Sequence, residues 1–105
     1  MKTSELTGAV LDWAVAKCEG KIYGIPGTRY EFQPSTHWAQ GGPIIEREKI
    51  GLTYSGSIPC WYATNQQGKR FLRLGETPLI AAMRCYVASK LGDVVDVPRE
   101  IQNGL

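Results

Sequence analysis

Ser35, Thr36, His37 and Trp38 follow one another in the chain, with Arg29 and Tyr30 a few residues upstream. A guanidinium, two aromatic faces and an imidazole so close together could grip a planar or phosphorylated ligand. The forces would be stacking and charge-assisted hydrogen bonds. Ser35 or Thr36 reads as the cap of a helical turn, and the Gly41–Gly42 backbone adds N–H donors suited to an anion at a helix start. The competing reading is that Tyr30, Phe32 and Trp38 simply fold this stretch onto the core. A Ser-Thr-His run also invites thought of nucleophilic catalysis. That chemistry needs a nucleophile, a base and a group orienting the base, whereas adjacent Ser and Thr before a helix are usually caps. No catalytic residue is assigned, and the chain is expected not to be an enzyme.

Other chemistries are poorly supplied. Cys18, Cys60 and Cys85 stand far apart, none in a CxxC pair, and His37 is the single histidine. A structural zinc site wants four Cys or His ligands at close paired spacings. No metal and no cofactor are therefore expected, and the thiols read as small buried hydrophobes. Gly24-x-x-Gly27 and Gly41-Gly42 lack the Lys-Ser/Thr and strand-loop-helix setting of a phosphate loop. Asp12, Glu46 and Glu48 show no paired acid–base spacing. Lys69, Arg70 and Arg73 form one small basic patch, more in keeping with isolated surface charges than with a nucleic-acid footprint.

The whole chain sets similar bounds. Its 105 residues suit one domain, with 43% hydrophobic and 21% charged residues and a net charge of +2. That composition argues against disorder, and the charge balance makes nucleic acid an unlikely partner. Met1 to Glu5 is polar, so no signal peptide is expected. No apolar run approaches the roughly 20 residues of a membrane span. The expected compartment is the cytoplasm.

The elements that would position these residues can be read from periodicity. Ser4 to Cys18 predicts a helix, capped by Thr3 or Ser4, with Leu6, Val10, Trp13 and Ala14 on one face and Gly20 past its end. Lys21 to Pro34 reads as an ordered loop, with a short strand at Tyr30 to Phe32. A helical turn through Gln40 follows. Gly41-Gly42-Pro43 is expected to interrupt it before Ile44 and Ile45 turn inward and Glu46 to Lys49 face solvent. Ile50 to Tyr54, Cys60 to Thr64 and Phe71 to Leu74 read as strands, the last two framing a hairpin loop. Neither hairpin strand has a cleanly polar side, which predicts a sheet covered on both faces. Thr77 to Leu91 is the clearest helix: Thr77 caps, Pro78 takes the first position, Gly92 ends it, and Leu79, Ile80, Met83, Val87 and Leu91 form its core stripe. Val94, Val95 and Val97 suggest one more edge segment. The class is α+β: a small antiparallel sheet of three to four strands covered by an N-terminal and a C-terminal helix, plus a short broken helix. The expected ordered core runs over residues 3–97, with a frayed tail at 98–105.

Three stretches then carry a resemblance: Thr3-Ser-Glu-Leu-Thr-Gly-Ala9, Trp38-Ala-Gln-Gly-Gly-Pro-Ile-Ile-Glu46 and Thr77-Pro-Leu-Ile-Ala-Ala-Met-Arg-Cys-Tyr-Val87. Together they resemble the NinX-like family of small tailed-phage and prophage proteins, from about Lys2 to Pro98. More loosely, the element order is similar to that of the phage α/β/α sandwich proteins. The resemblance implies a phage accessory protein acting in a bacterial cytoplasm, and it carries no catalytic residue to this chain.

Taken together, the leading expectation is a non-enzymatic phage protein that binds or sequesters a small anionic or nucleotide-like ligand. A host signalling nucleotide is one such ligand. The contacts would come from Arg29, Tyr30, Ser35, Thr36, His37 and Trp38. The alternative is an interaction module that blocks or adapts a host protein. Least favoured is a DNA-associated factor using Lys69, Arg70 and Arg73. A homodimer would be unsurprising.

Overall fold

The computed structural model describes residues 1–20, 32–99 and 101. Residues 21–31, with Arg29, Tyr30 and the loop and short strand expected there, lie outside the described residues. Helix α1 spans Gly8–Cys18, α2 Trp38–Glu48 and α3 Pro78–Leu91; strands β1 (Gly51–Ser55), β2 (Cys60–Asn65) and β3 (Gly68–Gly75) lie between α2 and α3. The strands form one antiparallel sheet in the order β1-β2-β3. This is the expected α+β class with three strands. Val94 makes only an isolated bridge to Lys2, so no fourth strand forms among the described residues. Val95 and Val97 instead bury their side chains. The neighbouring backbone ties to the chain start, through Thr3 N–H to Asp93 O at 2.8 Å and Val95 N–H to Met1 O at 2.8 Å.

Helix α3 is central. One side lies on the sheet, and α1 and α2 pack on α3 from the other. Its sequence predicts a single apolar stripe. In the fold Ala81, Ala82, Met83, Cys85, Tyr86, Val87 and Ala88 are all buried as well as Leu79. The three alanines carry little hydrophobicity into a periodicity reading, yet they let neighbours approach from every side. The core joins Leu6, Val10, Leu11, Ala14 and Val15 of the N-terminal part to Ile44, Ile50, Ala63 and this helix. Ile101 belongs to the same core, so the tail is not loose at that residue, contrary to the sequence-based expectation.

On β2 and its neighbours, Leu52, Trp61 and Phe71 pack toward the core. The alternate residues Thr53, Tyr62 and Leu74, paired across the three strands, face away from α3 by strand alternation. No described helix packs on that outer side. The predicted cover on both faces is therefore not found among the described residues. The apolar content of both strand sides misled the reading.

Three further expectations change. First, the N-terminal helix starts at Gly8 rather than Ser4, and Thr3–Glu5 forms a separate 3-10 turn. Gly8 adopts φ +55°, a left-handed conformation that glycine tolerates and that breaks continuity with the preceding turn. The Leu6 carbonyl at this break accepts Arg84 Nε–H at 2.7 Å.

Second, α2 is continuous through Gly41, Gly42 and Pro43. Gly41 is buried, and a Cβ there would lie 2.4 Å from the Pro34 carbonyl oxygen and 2.7 Å from Leu79 Cδ2. Glycine serves close packing here and not interruption. The helix ends in a Schellman arrangement, with Lys49 N–H on Glu46 O and Ile50 N–H on Ile45 O.

Third, the charged end of α2 is not simply solvated. Arg47 grips Glu19 through Nη1 (3.1 Å) and Nη2 (2.6 Å), and Tyr86 donates its hydroxyl to the same carboxylate. Lys90 reaches Glu48 at 3.4 Å. Burial, then the Glu19 carboxylate, hold the Tyr86 phenol above its ordinary range. This clasp joins the end of α1, the end of α2 and the middle of α3. No described helix is long and apolar enough to cross a membrane.

Candidate functional site

Two helix starts meet on one side of the molecule. Residues Ser35, Thr36 and Trp38 at the entry to α2 and Thr77, Pro78, Leu79 and Ile80 at the entry to α3 line a single open pocket of about 230 Å³. Gly41 makes this meeting possible, because its missing side chain lets Pro34 and Leu79 close on the helix. Trp38 is 55% exposed, so its ring is available to a ligand.

The two starts differ in how they are capped. Thr77 accepts Ile80 N–H on its Oγ1 at 3.1 Å, and Pro78 has no N–H to offer. The α3 start is therefore largely self-satisfied. At α2 the residue before the helix is His37, extended and making no side-chain cap bond. The predicted cap from Ser35 or Thr36 does not form. Thr36 Oγ1 lies 3.0 Å from His37 Nδ1 and 3.5 Å from Gln33 O instead. The first N–H groups of an α-helix have no acceptor in a preceding turn; at α2 the His37 side chain supplies none, and Gln40 N–H turns to the His37 carbonyl at 3.0 Å. The positive end of that helix dipole consequently opens at the pocket.

Ser35 is buried at 2% exposure. Its backbone N–H donates to Asp12 Oδ1 at 2.9 Å, so an α1 side chain holds the turn that precedes α2. The Ser35 Oγ is buried beside the same carboxyl and makes no hydrogen bond of regular geometry. Burial pushes the Asp12 carboxyl above the usual carboxylate range, opposed in part by Ser35 and by the charge of His37.

A carboxyl with a raised folded pKa binds its proton more tightly in the fold than in the unfolded chain. Its contribution to stability is full below the unfolded value of about 3.9 and is lost as pH rises through the higher folded value. Asp12→Asn keeps an acceptor for Ser35 N–H and removes the titration. The variant should gain on the wild type as pH rises from acid to neutral. Paired denaturant midpoints from about pH 4 to pH 8 test this, and a gap that stays constant with pH would disprove it.

Of the residues expected at a site, Ser35, Thr36 and Trp38 come together at the pocket. His37 sits at the helix entry, exposed and outside the lining. Arg29 and Tyr30 lie outside the described residues. Thr77, Pro78, Leu79, Ile80 and Asp12 were missed. Thr77-Pro78 is legible as a helix start, but nothing in the spacing says which other start it meets.

The basic patch does not hold together. Arg73 turns inward with its side chain 14% exposed, bonded to Asp93 Oδ1 at 2.6 Å and to Leu72 O at 2.8 Å. Only Lys69 and Arg70 stay exposed on the hairpin. Cys18 and Cys85 are pushed up to about 11 by burial, which keeps both thiols protonated at neutral pH. No group of three or more metal-ligating side chains occurs among the described residues.

Among curated proteins none matches the chain. A protein-family model does: the family described as bacteriophage P22, NinX, matches residues 2–90, which takes in both helix starts, the sheet and nearly all of α3. With most of its length so matched, the chain belongs to the bacteriophage P22 NinX family.

Proposed function

We propose that this phage protein is a non-enzymatic accessory factor that binds a small nucleotide-like ligand in the pocket between the starts of α2 and α3. Sequestering such a molecule in the bacterial cytoplasm is the use we infer. The observation that carries the reading is the convergence of an exposed Trp38 ring and an uncapped helix start on one pocket. An aromatic face with Pro78 and Ile80 beside it suits a planar ring. The open dipole end of α2 suits an anionic group. A pocket of about 230 Å³ limits the enclosed part to one ring system.

Thermal denaturation against nucleotides, cyclic nucleotides and related phosphorylated metabolites tests this. A ligand at 100 times its Kd stabilises the fold by about 2.7 kcal/mol, a rise of several degrees in Tm. The rise should saturate and disappear in Trp38→Ala. A flat response across the panel would end the reading for those compounds.

A second reading, an interaction module that blocks or adapts a host protein, draws on a different surface. Ile58, in the turn between β1 and β2, is exposed at 63%, and Leu74 on the outer side of the sheet at 46%; exposed large apolar side chains of this kind are where a partner could seat. Under that reading Ile58→Asp removes partner binding and Trp38→Ala does not. A DNA-associated role loses Arg73 from its footprint and keeps only two hairpin cations.

A further inference from the structure

We propose that two copies of this chain pair through β1, strand against identical strand, antiparallel about a two-fold axis at Thr53. Their sheets then join into one of six strands. The proposal is independent of the pocket and starts from an asymmetry between the two edges of the sheet, β1 and β3. An edge strand presents a row of backbone N–H and C=O groups to any incoming strand, and folded proteins blunt it with charges, proline or a bulge. Strand β3 is blunted in this way. Lys69 and Arg70 are exposed on it, and its pairing with β2 shifts register between Ala63 and Asn65.

Strand β1 has none of these devices. Gly51–Ser55 contains no charged residue and no proline. Its register with β2 runs unbroken from Gly51 opposite Thr64 to Ser55 opposite Cys60. No described strand pairs with its other side. Gly51 and Thr53 are exposed, and Tyr54 is 54% exposed. Glycine has no side chain, so the exposure of Gly51 is that of its backbone.

The occupant that fits this edge is a second copy, because the strand is complementary to itself. A two-fold axis brings the same patch to both sides and makes the paired strands antiparallel. Centred on Thr53, the pairing sets Thr53 against its own equivalent, Tyr54 against Leu52 of the second copy, and Gly51 against Ser55. Residues directly opposite one another share a sheet face and interact as cross-strand pairs. Leu52 packs toward the core, and Tyr54, two residues on, lies on the same face. The exposed Tyr54 ring therefore gains an aliphatic neighbour, twice by symmetry. No like charges meet at the axis, since the strand carries none. The outer edges of the joined sheet are then the two β3 strands, whose Lys69 and Arg70 stop growth at two copies.

Five residues a side fall below a standard interface, so the expected Kd lies above about 1 µM, and sedimentation equilibrium should span about 10 µM to 1 mM. The wild type should rise from one chain mass toward two. Thr53→Lys and Thr53→Glu each set like charges opposite one another at the axis, and each should weaken pairing about fivefold or more. An equimolar mixture of the two sets Lys against Glu and should restore pairing. Hydrogen exchange on the wild type gives a reading that needs no variant: β1 amides should gain protection as concentration rises, and those of β3 should not. A wild type that stays monomeric throughout overturns the proposal. Pairing that both variants retain, or that leaves β1 amide protection unchanged, overturns it by placing the interface elsewhere. Loss in both variants without recovery in the mixture, each variant melting cooperatively, overturns the axis at Thr53.

Discussion

Gly75→Ala is expected to destabilise this protein by about 3 kcal/mol, the upper end of the usual range for overpacking. Gly75 is the last residue of β3 and is buried. A Cβ built on it would lie 2.4 Å from the Ala81 nitrogen, 2.9 Å from Ala81 Cα and 3.0 Å from the Ile80 carbonyl carbon. Those are backbone atoms of α3. No side chain can rotate away to relieve the contact, so the helix must shift off the sheet or the strand end must bend. Dihedral freedom is not the issue, since Gly75 is not among the glycines with positive φ.

The same shift would disturb Thr77 to Ile80, which form one wall of the pocket. Chemical denaturation measures the loss, and nucleotide-dependent stabilisation should fall with it. A cost below about 1 kcal/mol would mean that α3 does not seat on the sheet at this residue. Gly42 makes the control, because a Cβ there meets nothing within 4 Å.

Leu11→Ala should cost about 2–5 kcal/mol, the range for truncating a fully buried leucine. Leu11 has no exposed surface and lies in the first turn of α1. Helix α1 joins the rest of the molecule chiefly through α3, so this core side chain carries much of that attachment. Domain stabilities of about 5–15 kcal/mol leave little margin for such a loss. Near the melting point each 1 kcal/mol moves Tm by about 4–8 °C in a domain of this size. Leu74→Ala on the outer side of the sheet, where Leu74 is 46% exposed, should change stability by no more than about 0.5 kcal/mol. If the two variants proved alike, α1 would be an accessory to the fold and not part of its core.

The contrast between these two leucines also shows where a linear reading succeeds and fails. Thr77, Pro78 and Gly92 announce α3 through rules that act within a few residues of chain, and the fold realises all three. The hairpin around Gly68, with φ +67°, follows similar local chemistry. Leu74 reads as buried with the rest of its strand, because hydrophobicity alone does not say which sheet face a helix will cover. Gly41 and Gly42 read as a break because glycine has two uses, turning a chain and admitting a neighbour, and the neighbour of Gly41 is Leu79. Arg73 reads as surface charge because its partner Asp93 is distant in sequence.

The candidate site divides along the same line. Ser35, Thr36 and Trp38 were legible as residues with binding chemistry, since their types and adjacency are properties of the chain itself. Their companions Thr77, Pro78, Leu79 and Ile80 were legible only as a helix start. What determined the α+β class, the helix caps, the strands and the family was local sequence: short-range hydrogen bonding, φ preferences and apolar periodicity. What only the tertiary structure decided was that α3 becomes the buried centre, that one sheet face carries no described helix, and that two helix starts share a pocket. Those outcomes depend on which surfaces pack together across tens of residues, through contacts at Gly41 and Gly75 measured in tenths of an ångström, and no local rule reaches that far.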